Sequence, residues 1–490
     1  MLPLIKNKYT VRSLLRLTGP YSLKEITFMD NHSQNSRAKL GSRLGFILLS
    51  AGCAIGVGNV WKFPWMVGQY GGGIFVLIYL LFLIIMGVPV MTMEFSLGRA
   101  SKKSPVCMYD ELPGKPAFRA HGWAAYIGMY VLMSFYTVVS GWMLYYFWNT
   151  ASGSFEAMGD KVGSSFGNML SDPLSMTVCM VIVVVIGFLV NSFGVEKGLE
   201  RVTKIMMIAL LVLMLVLAIY CCTLEGAGEG LMFYLVPDVD KMLEAGIINV
   251  ISGAMLQALF TLSLGMGAMA IFGSYIGRER SLLGESVNVA FLDTFVALVA
   301  GFIIFPACYT YSDGVTTAGP GLIFSVLPSI FNNMPLGRLW GSLFFVFMSF
   351  AALSTILTVF EGIIACAMEK FGWSRKKSCL INGIILLISS IPCVLGFNLL
   401  SGFAPLGKQV LDWEDFLVSN LLLPLGSLTY VIFCTNKKIG WGFDNFADEA
   451  NKGEGLKVKR WMYGYMKYVL PVIMLIIFVF GLMSFFGVTL

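Results

Sequence analysis

The sequence contains few of the residues on which most enzymes and nucleic-acid-binding proteins depend. Only two of its 490 residues are histidine, and charged residues make up 13% of the chain, about half of the share usual in soluble proteins. The ten cysteines are scattered without the paired spacing of a zinc site or a disulfide scaffold. Neither a His-Glu-x-x-His motif nor a phosphate-binding loop is present. These absences exclude a soluble enzyme and leave nucleic-acid binding without support.

Apolar residues dominate instead, at 57% of the chain with a mean hydropathy of +0.78. A helix that crosses a bilayer needs about 20 apolar residues. Eleven runs of this kind predict an all-α polytopic membrane protein with spans near 44–69, 74–98, 120–148, 174–191, 199–222, 246–275, 287–311, 339–368, 378–396, 414–434 and 464–487.

The basic residues give these spans an orientation. If the N-terminus is cytoplasmic, only five of the 34 basic residues fall outside, namely Lys62, Lys161, Lys241, Arg338 and Lys408. This asymmetry satisfies the positive-inside rule, and an odd number of spans then places Leu490 outside. Residues 1–43 lack a signal-peptide core and are interpreted as a cytosolic tail, whether translation starts at Met1 or Met29. We expect a multi-pass protein of the cell's inner (plasma) membrane.

Two of the spans carry clustered glycines in their interiors. The first reads Ser-Ala-Gly-Cys-Ala-Ile-Gly-Val-Gly-Asn over 50–59, and the sixth reads Thr-Leu-Ser-Leu-Gly-Met-Gly over 261–267. Glycine costs a helix interior about 1 kcal/mol relative to alanine. Interrupted helices in corresponding positions of two halves are typical of inverted-repeat transporters, whose site lies at the bilayer midplane. Close helix packing through small residues is the alternative.

Polar residues near these glycines favour the transporter interpretation. Unwound backbone at this depth is tolerated where it lines a cavity or is buried in protein. Asp293 is an ionisable group inside span seven and needs a partner. The further oxygen donors are Asn59, Thr261, Ser263, Ser354 and Thr355. A set of oxygens without sulfur or imidazole suits a small hard cation, and sodium is the natural one. Titration of Asp293 in a proton-coupled transporter is the alternative.

At these residues the sequence resembles the neurotransmitter:sodium symporter family, in particular its bacterial amino-acid-transporting branch with eleven spans. The most specific stretches are Ser42–Phe46, Gly56–Pro64, Gly71–Gly73, Glu94–Phe95 and Gly98–Arg99. The resemblance implies a LeuT-like inverted repeat of 5+5 helices plus one extra C-terminal helix, with helices 1 and 6 unwound at the midplane. The expected organisation is repeat one at 44–222, repeat two at 246–434, a cytosolic loop at 435–463 and helix 11 at 464–490.

The resemblance also implies two sodium sites and a substrate pocket. The first ion would be held by the substrate carboxylate with Ala54, Asn59, Thr261 and Asp293. The second would be held by carbonyls of Gly52, Ile55 and Ala351 and by the hydroxyls of Ser354 and Thr355. The substrate would contact Cys53, Ala54, Val57, Gly58, Leu132, Tyr136, Phe260, Ser263, Met266, Thr355 and Val359.

This pocket is mostly apolar, so the expected substrate is a large hydrophobic or aromatic L-amino acid. Its carboxylate would meet backbone N–H groups near Val57 and Gly58 and the hydroxyl of Tyr136. Gly56 occupies the position where monoamine transporters place an aspartate, which disfavours monoamines. Methionine at 266 adapts to ligands of different bulk through its three rotatable bonds.

Two gates follow from the same resemblance. Lys62 and Asp415 would form the outer gate above Phe260 and Tyr136, while Arg37 and Glu369, near Tyr275, would close the cytoplasmic side. Most members have arginine where this chain has Lys62. Because lysine lacks the planar fork of arginine, we expect a weaker or more water-mediated outer gate.

Two departures from the family pattern bear on mechanism. Chloride-dependent relatives have serine, and some bacterial ones glutamate, where this chain has Ala297, although Tyr79 and Gln257 are present. Asp293 would supply the missing negative charge, so no chloride is expected. Where the family often has a glycine and a proline separated by nine residues in span five, Gly198 is here followed by Ile208 at the position of the proline. The resemblance therefore does not predict how water enters from the cytoplasm.

The expected activity is sodium-coupled symport of an amino acid into the cell by alternating access, with two sodium ions and no enzymatic step. A proton-coupled transporter is the closest alternative. A channel or a nonconducting sensor with the same helices is a further one. The sequence does not fix the amino acid, the stoichiometry or the oligomeric state.

Overall fold

The structure is a computed structural model that describes residues 40–312, 314 and 319–487. Arg37, the proposed cytoplasmic gate residue, and the rest of the N-terminal tail up to residue 39 lie outside the described residues. Within the described ranges, nine helices are long and apolar enough to cross a membrane. Two bent pairs, Arg43–Ala54 with Gly58–Gln69 and Val239–Ala245 with Ile247–Thr261, raise this number to as many as eleven. No strand forms in this part of the chain. The prediction of an all-α polytopic membrane protein is confirmed.

The eleven apolar segments are numbered here as spans 1 to 11. Their bounds are Arg43–Ala54 with Gly58–Gln69, Gly73–Ser101, Pro116–Ser152, Pro173–Ser192, Val195–Cys222, Ile247–Thr261 with Ala268–Tyr275, Leu282–Tyr311, Gly337–Phe371, Arg375–Gly396, Val410–Thr435 and Met462–Phe485. Short helices in the connections cover Pro105–Glu111, Ser154–Met158, Ser165–Leu170, Ala227–Leu235, Val239–Ala245, Leu322–Asn333 and Phe443–Ala450.

Side-chain caps define where several spans begin. Ser42 accepts a hydrogen bond from the backbone N–H of Gly45 at the start of span 1. Asp172 accepts from two backbone N–H groups at the start of span 4, and Ser374 accepts from one at the start of span 9. Such caps satisfy N–H groups that have no partner inside the helix. Span 8 then packs closely against span 3 and against span 1, so the interior of the bundle lies next to the glycine-rich stretch.

Span 1 is interrupted next to its glycines. Its first helix ends at Ala54, and Ile55 adopts an extended backbone with φ −69° and ψ 102°. The second part begins at Gly58 with a π-helical turn to Lys62, and the two parts are bent by 54°. The backbone of residues 55–57 is therefore released from regular helical hydrogen bonding.

Span 6 is interrupted over residues 262–267. Ser263, Gly265 and Gly267 have positive φ angles of 50°, 95° and 81°. Glycine tolerates this region of backbone space because it has no Cβ. The glycines of both motifs thus coincide with irregular backbone rather than with uninterrupted helix packing.

Span 5 also begins irregularly, although Ile208 stands where relatives often have proline. Residues Val195–Glu200 form a π-helical segment around Gly198. A Cβ on Gly198 would lie 2.2 Å from the carbonyl oxygen of Val190, so glycine permits a close approach between spans 4 and 5. A π-helical segment lengthens the local repeat without proline.

Candidate sodium and substrate sites

The first group of predicted sodium ligands converges where spans 1, 6 and 7 meet. The amide nitrogen of Asn59 donates to Asp293 Oδ1 at 2.7 Å and to Thr261 Oγ1 at 3.0 Å, and Thr261 donates to Asp293 Oδ2 at 3.0 Å. The Asn59 amide oxygen accepts from the backbone N–H of Gly56 at 3.0 Å. All three side chains are buried. A carboxylate, an amide and a hydroxyl are hard donors that fit an alkali cation.

The second group joins span 1 to span 8. Thr355 Oγ1 lies 3.3 Å from the carbonyl oxygens of both Gly52 and Ile55. Ser354 Oγ lies 2.9 Å from the carbonyl oxygen of Ala351 and 3.4 Å from that of Ile55. Five uncharged oxygens therefore gather in a small buried volume. Among the residues that the structure describes, no three His, Cys, Asp or Glu side chains cluster as a transition-metal site would require.

A small cavity between the two ligand groups has the position that the resemblance gives to the substrate pocket. It lies between spans 1, 3, 6, 8 and 10, and its free volume is only about 30 Å³, room for about one water molecule. A ligand larger than a water molecule must therefore move side chains such as Met266. The cavity is lined by Cys53, Ala54, Gly56, Gly58, Leu132, Tyr136, Phe260, Thr261, Ser263, Met266, Thr355, Val418 and Leu423.

Two residues proposed for the pocket do not line this cavity, and two that do were missed. Val359 is fully buried in span 8, and Val57 lines the outer side of the site instead. Val418 and Leu423 enter the wall from span 10. Residues Phe416–Leu422 form a π-helical segment, which changes the face that span 10 presents. Because the sequence of span 10 is evenly apolar, it did not indicate that Val418 and Leu423 would line the cavity.

Tyr136 ties span 3 to the break in span 1. Its hydroxyl oxygen accepts a hydrogen bond from the backbone N–H of Val57 at 3.0 Å. A Cβ on Gly56 would lie 2.5 Å from that oxygen and 2.7 Å from Thr355 Oγ1. The released backbone and the tyrosine hydroxyl thus meet where the resemblance places the substrate carboxylate, and position 56 has no room for a side chain.

A hydrogen bond joins the interruption of span 1 to that of span 6, and a residue of span 2 stabilises the interruption of span 6. The hydroxyl of Ser263 donates to the carbonyl of Cys53 at 3.2 Å. The carboxylate of Glu94, fully buried in span 2, accepts from the backbone N–H groups of Gly265 at 3.1 Å and Met269 at 3.2 Å. Glu94 therefore satisfies donors that the interruption of span 6 leaves without helical partners.

The outer gate residues face each other above the pocket. Lys62 Nζ lies 3.8 Å from Asp415 Oδ2 and 4.1 Å from the centre of the Phe260 ring. A second cavity of about 240 Å³ lies on this side. Phe260 and Tyr136 line both cavities and so form the partition between them. The Lys62–Asp415 distance is long for an ion pair, and the weaker gate expected for lysine stays a prediction.

On the opposite side the structure reveals a buried ion pair that the sequence interpretation missed. Glu361 of span 8 is paired with Arg375 at the start of span 9, and the hydroxyl of Tyr275 donates to Glu361 at 2.7 Å. Arg375 also donates to the carbonyl of Asn191 at 2.7 Å. Glu369, the expected gate acid, accepts from the backbone N–H of Ser104 at 2.7 Å. Glu361 is an acidic residue inside an apolar run, and this feature of the sequence could have identified it as a functional candidate.

Removing one partner of this pair is expected to destabilise the protein. Glu361→Gln leaves Arg375 largely buried beside a neutral group, and such a change typically costs 3–5 kcal/mol. We expect thermal unfolding in detergent to shift down clearly, and the double variant Glu361→Gln/Arg375→Gln to recover part of the loss. If the effects of the two single substitutions simply add, the two residues do not interact energetically.

The position associated with chloride lacks a serine hydroxyl, as the sequence indicated. Ala297 is fully buried one turn after Asp293. The hydroxyl of Tyr79 and the amide oxygen of Gln257 are buried, with no hydrogen-bond partner among the described residues. The Gln257 amide nitrogen donates to the carbonyl of Gly58 at 3.3 Å. The Asp293 carboxylate is the acidic group that span 7 brings to this region.

Comparisons with known proteins agree with this geometry. The sequence profile of the sodium:neurotransmitter symporter family matches residues 37–159 and 155–490. An uncharacterized sodium-dependent transporter of Bacillus subtilis, YhdH, is 32% identical over 92% of this chain and 100% of its own length. An uncharacterized sodium-dependent transporter of Haemophilus influenzae is 31% identical, over 92% of this chain and 99% of its own.

A solved structure gives the same result for the fold. The crystal structure of MhsT in complex with L-phenylalanine superposes with a TM-score of 0.81 and 36% identity, covering 91% of this chain and 100% of that one. This match confirms the predicted LeuT-like fold. Because the family profile covers nearly the whole sequence, the chain belongs to the sodium:neurotransmitter symporter family of multi-pass membrane transporters.

Proposed function

We propose that this protein carries a hydrophobic or aromatic L-amino acid into the cell together with sodium. The observation that supports this most strongly is the meeting of two oxygen-only ligand groups on either side of one cavity, at the interruptions of spans 1 and 6. Sodium and substrate would then share the released backbone of span 1. Binding of one would stabilise the site for the other, which is the thermodynamic basis of coupling.

The cavity wall supports the substrate class. The apolar side chains of Leu132, Phe260, Met266, Val418 and Leu423 line the cavity. The Tyr136 hydroxyl and the backbone N–H of Val57 meet at 3.0 Å and would bind a carboxylate. A side chain at position 56 would collide with Tyr136 and Thr355. Position 56 therefore has no room for the aspartate that binds the amine of substrates lacking a carboxylate. The phenylalanine bound to MhsT is consistent with this class.

Two sodium ions are proposed as cosubstrates, one for each ligand group. A zwitterionic amino acid adds no net charge, so two ions move two charges, worth roughly 4.6 kcal/mol at 100 mV. This supports about a thousandfold accumulation, against about fortyfold for one ion. The reversal potential in proteoliposomes measures the stoichiometry.

Chloride is proposed to be unnecessary because Asp293 provides a fixed negative charge beside the first ligand group. Replacing external chloride with gluconate is therefore expected to leave sodium-driven uptake within about twofold of its control value. Uptake that collapses in gluconate and returns with chloride would contradict this proposal. Uptake by a chloride-dependent relative, measured in the same buffers, controls for effects on the membrane potential.

Transport is proposed to follow alternating access, with repeat one at 44–222 and repeat two at 246–434. Spans 1 and 6 would move against spans 3 and 8. Phe260 and Tyr136 would seal the substrate from the outer cavity under the Lys62–Asp415 pair, and the pair Glu361–Arg375 would close the opposite side together with Glu369. The loop charges favour a cytoplasmic N-terminus in the plasma membrane.

Proton coupling is the second candidate. Asp293 receives hydrogen bonds from Asn59 and Thr261, and carboxylates at this depth form proton relays in pumps and transporters. Uptake without sodium that is driven by an inward pH gradient would favour it. The convergence of five uncharged oxygens at the span 1–span 8 junction favours sodium instead, because such a site has no group that titrates.

The experiment that tests the proposed function is a binding screen of the twenty amino acids by thermal shift, with sodium and with choline. We expect large apolar amino acids to raise the unfolding temperature only when sodium is present. The smallest and the charged amino acids should have little effect. Stabilisation that is equal in choline would overturn sodium coupling, and stabilisation by charged amino acids alone would overturn the substrate class.

A further inference from the structure

A cavity on the outer surface of the bundle lies between the start of span 3 and span 10. Its volume is about 450 Å³, within the range of ligand pockets. Ala117, Ala120 and Leu425 are exposed at its edge. The other residues that line it are Phe118, His121, Ala124, Ala125, Gly265, Met266, Leu422, Gly426 and Thr429.

The lining of this lateral cavity favours an apolar occupant. Its main polar groups already have partners. His121 Nδ1 lies 2.9 Å from the Tyr109 hydroxyl, and His121 Nε2 lies 3.2 Å from the carbonyl oxygen of Gly265. The hydroxyl of Thr429 donates to the carbonyl of Leu425 at 2.7 Å. No charged side chain lines the cavity, so a hydrocarbon chain would leave no charge desolvated.

The cavity also has the depth of one half of a bilayer. From Ala117 to Ala125 span 3 rises by eight residues, about 12 Å along the helix. Half of the hydrocarbon core measures about 15 Å. The inner end is formed by His121, Gly265 and Met266, and Met266 also lines the substrate pocket. An occupant would therefore extend from the membrane surface to the rear of the substrate pocket.

The exposed Ala117 marks the mouth of the cavity, and basic residues lie beside it at the start of span 3 and in the loop after span 10. Lys115, Arg119, Lys437 and Lys438, called here the basic rim, are all exposed. The backbone N–H of Lys115 donates to the carbonyl of Ile439 at 2.8 Å, which brings the loop before span 3 against the loop after span 10. One acid, Asp110, faces this group and pairs with Arg119 at 2.5 Å. The rim therefore keeps an excess of positive charge.

We propose that the lateral cavity binds an anionic phospholipid, with one acyl chain in the cavity and the phosphate at the basic rim. Apolar walls and a positive mouth match the two parts of this molecule. Basic pockets between spans at the cytoplasmic surface are suited to anionic headgroups, and the loop charges place this mouth on the cytoplasmic side. The proposal concerns lipid binding alone and does not depend on the transported substrate.

Native mass spectrometry of the full-length protein tests this directly. After delipidation the protein is titrated with phosphatidylglycerol and with phosphatidylcholine of identical acyl chains. We expect about a tenfold preference for phosphatidylglycerol, which Lys437→Gln/Lys438→Gln reduces to threefold or less. The matched control is Lys376→Gln/Lys377→Gln, which removes two exposed lysines at the start of span 9 and should leave the preference unchanged.

The cavity itself is tested by filling it. Ala124→Phe is expected to weaken the binding of both lipids at least fivefold, and Ala120→Leu at the exposed edge provides a milder filling variant should Ala124→Phe fail to fold. Equal binding of the two lipids by the wild type would overturn the proposal. So would unchanged lipid binding in both filling variants, or an equal loss of preference in the span 9 control.

Discussion

Replacing Asp293 with asparagine is expected to reduce sodium-driven uptake roughly a thousandfold. Asp293 is the acidic side chain of the first ligand group, and it is fully buried beside Asn59 and Thr261. A unit charge about 4 Å from a cation contributes about 4 kcal/mol at an effective dielectric constant of 20. At 1.4 kcal/mol per tenfold this corresponds to roughly three decades in affinity. Initial uptake rates across a range of sodium concentrations measure the loss.

A compensating substitution makes this prediction specific. Ala297 lies one helical turn after Asp293 and is also buried, and some relatives by resemblance have glutamate there. The double variant Asp293→Asn/Ala297→Glu moves the negative charge by one turn and is expected to recover a large part of the uptake. Asp412→Asn, in the outer cavity, is the control and should change uptake little. Full activity of Asp293→Asn alone would contradict the assigned role.

The second large effect is expected from a single methyl group at position 56. In Gly56→Ala the new Cβ would lie 2.5 Å from the Tyr136 hydroxyl and 2.7 Å from Thr355 Oγ1. Both side chains are buried and hydrogen-bonded, so neither moves without cost. An overpacking penalty of about 3 kcal/mol corresponds to roughly a hundredfold weaker amino-acid binding. Equilibrium binding of radiolabelled substrate in saturating sodium measures it.

A second glycine supplies the control for this substitution. Gly228 lies in the helix Ala227–Leu235, and a Cβ there would meet nothing within 4 Å. Gly228→Ala should therefore bind substrate as the wild type does. If Gly56→Ala also binds normally while folding normally, the substrate carboxylate does not sit where Tyr136 and the span 1 backbone meet.

The interruptions of spans 1 and 6 could be anticipated from the sequence because their cause is local. Clustered glycines are unfavourable in a helix interior whatever their long-range contacts. Gly265 and Gly267 adopt the positive φ angles that glycine permits. The oxygen donors were visible for a similar reason, since polar residues stand out in a hydrophobic span.

Other parts of the site depend on packing that the sequence pattern does not encode. Val418 and Leu423 reach the cavity because span 10 contains a π-helical segment, whereas nothing in its apolar sequence distinguishes them from their neighbours. Val359 belongs to the same helix as Thr355 but is buried away from the cavity wall. Which face of an evenly hydrophobic helix points inward is decided by its neighbours.

On the cytoplasmic side, the sequence did not identify the acid that forms the buried ion pair. Arg375 pairs with Glu361, an acid two turns before Glu369. The resemblance instead pairs Glu369 with Arg37, which lies outside the described residues. Both acids lie on span 8, and sequence spacing alone does not decide which of them meets a base from span 9. The span 8–span 9 connection of residues 372–374 is short, and it returns Arg375 toward the interior of the bundle.

The most direct test of the central claim is whether an amino-acid gradient drives sodium uphill. Proteoliposomes with equal sodium inside and outside, and with the membrane potential clamped at zero, are given an inward gradient of the best-binding amino acid. If sodium and substrate share the interrupted backbone of span 1, ²²Na⁺ accumulates above its equilibrium level, and Asp293→Asn abolishes the accumulation. Amino-acid entry that moves no ²²Na⁺ and acidifies the lumen would contradict the account.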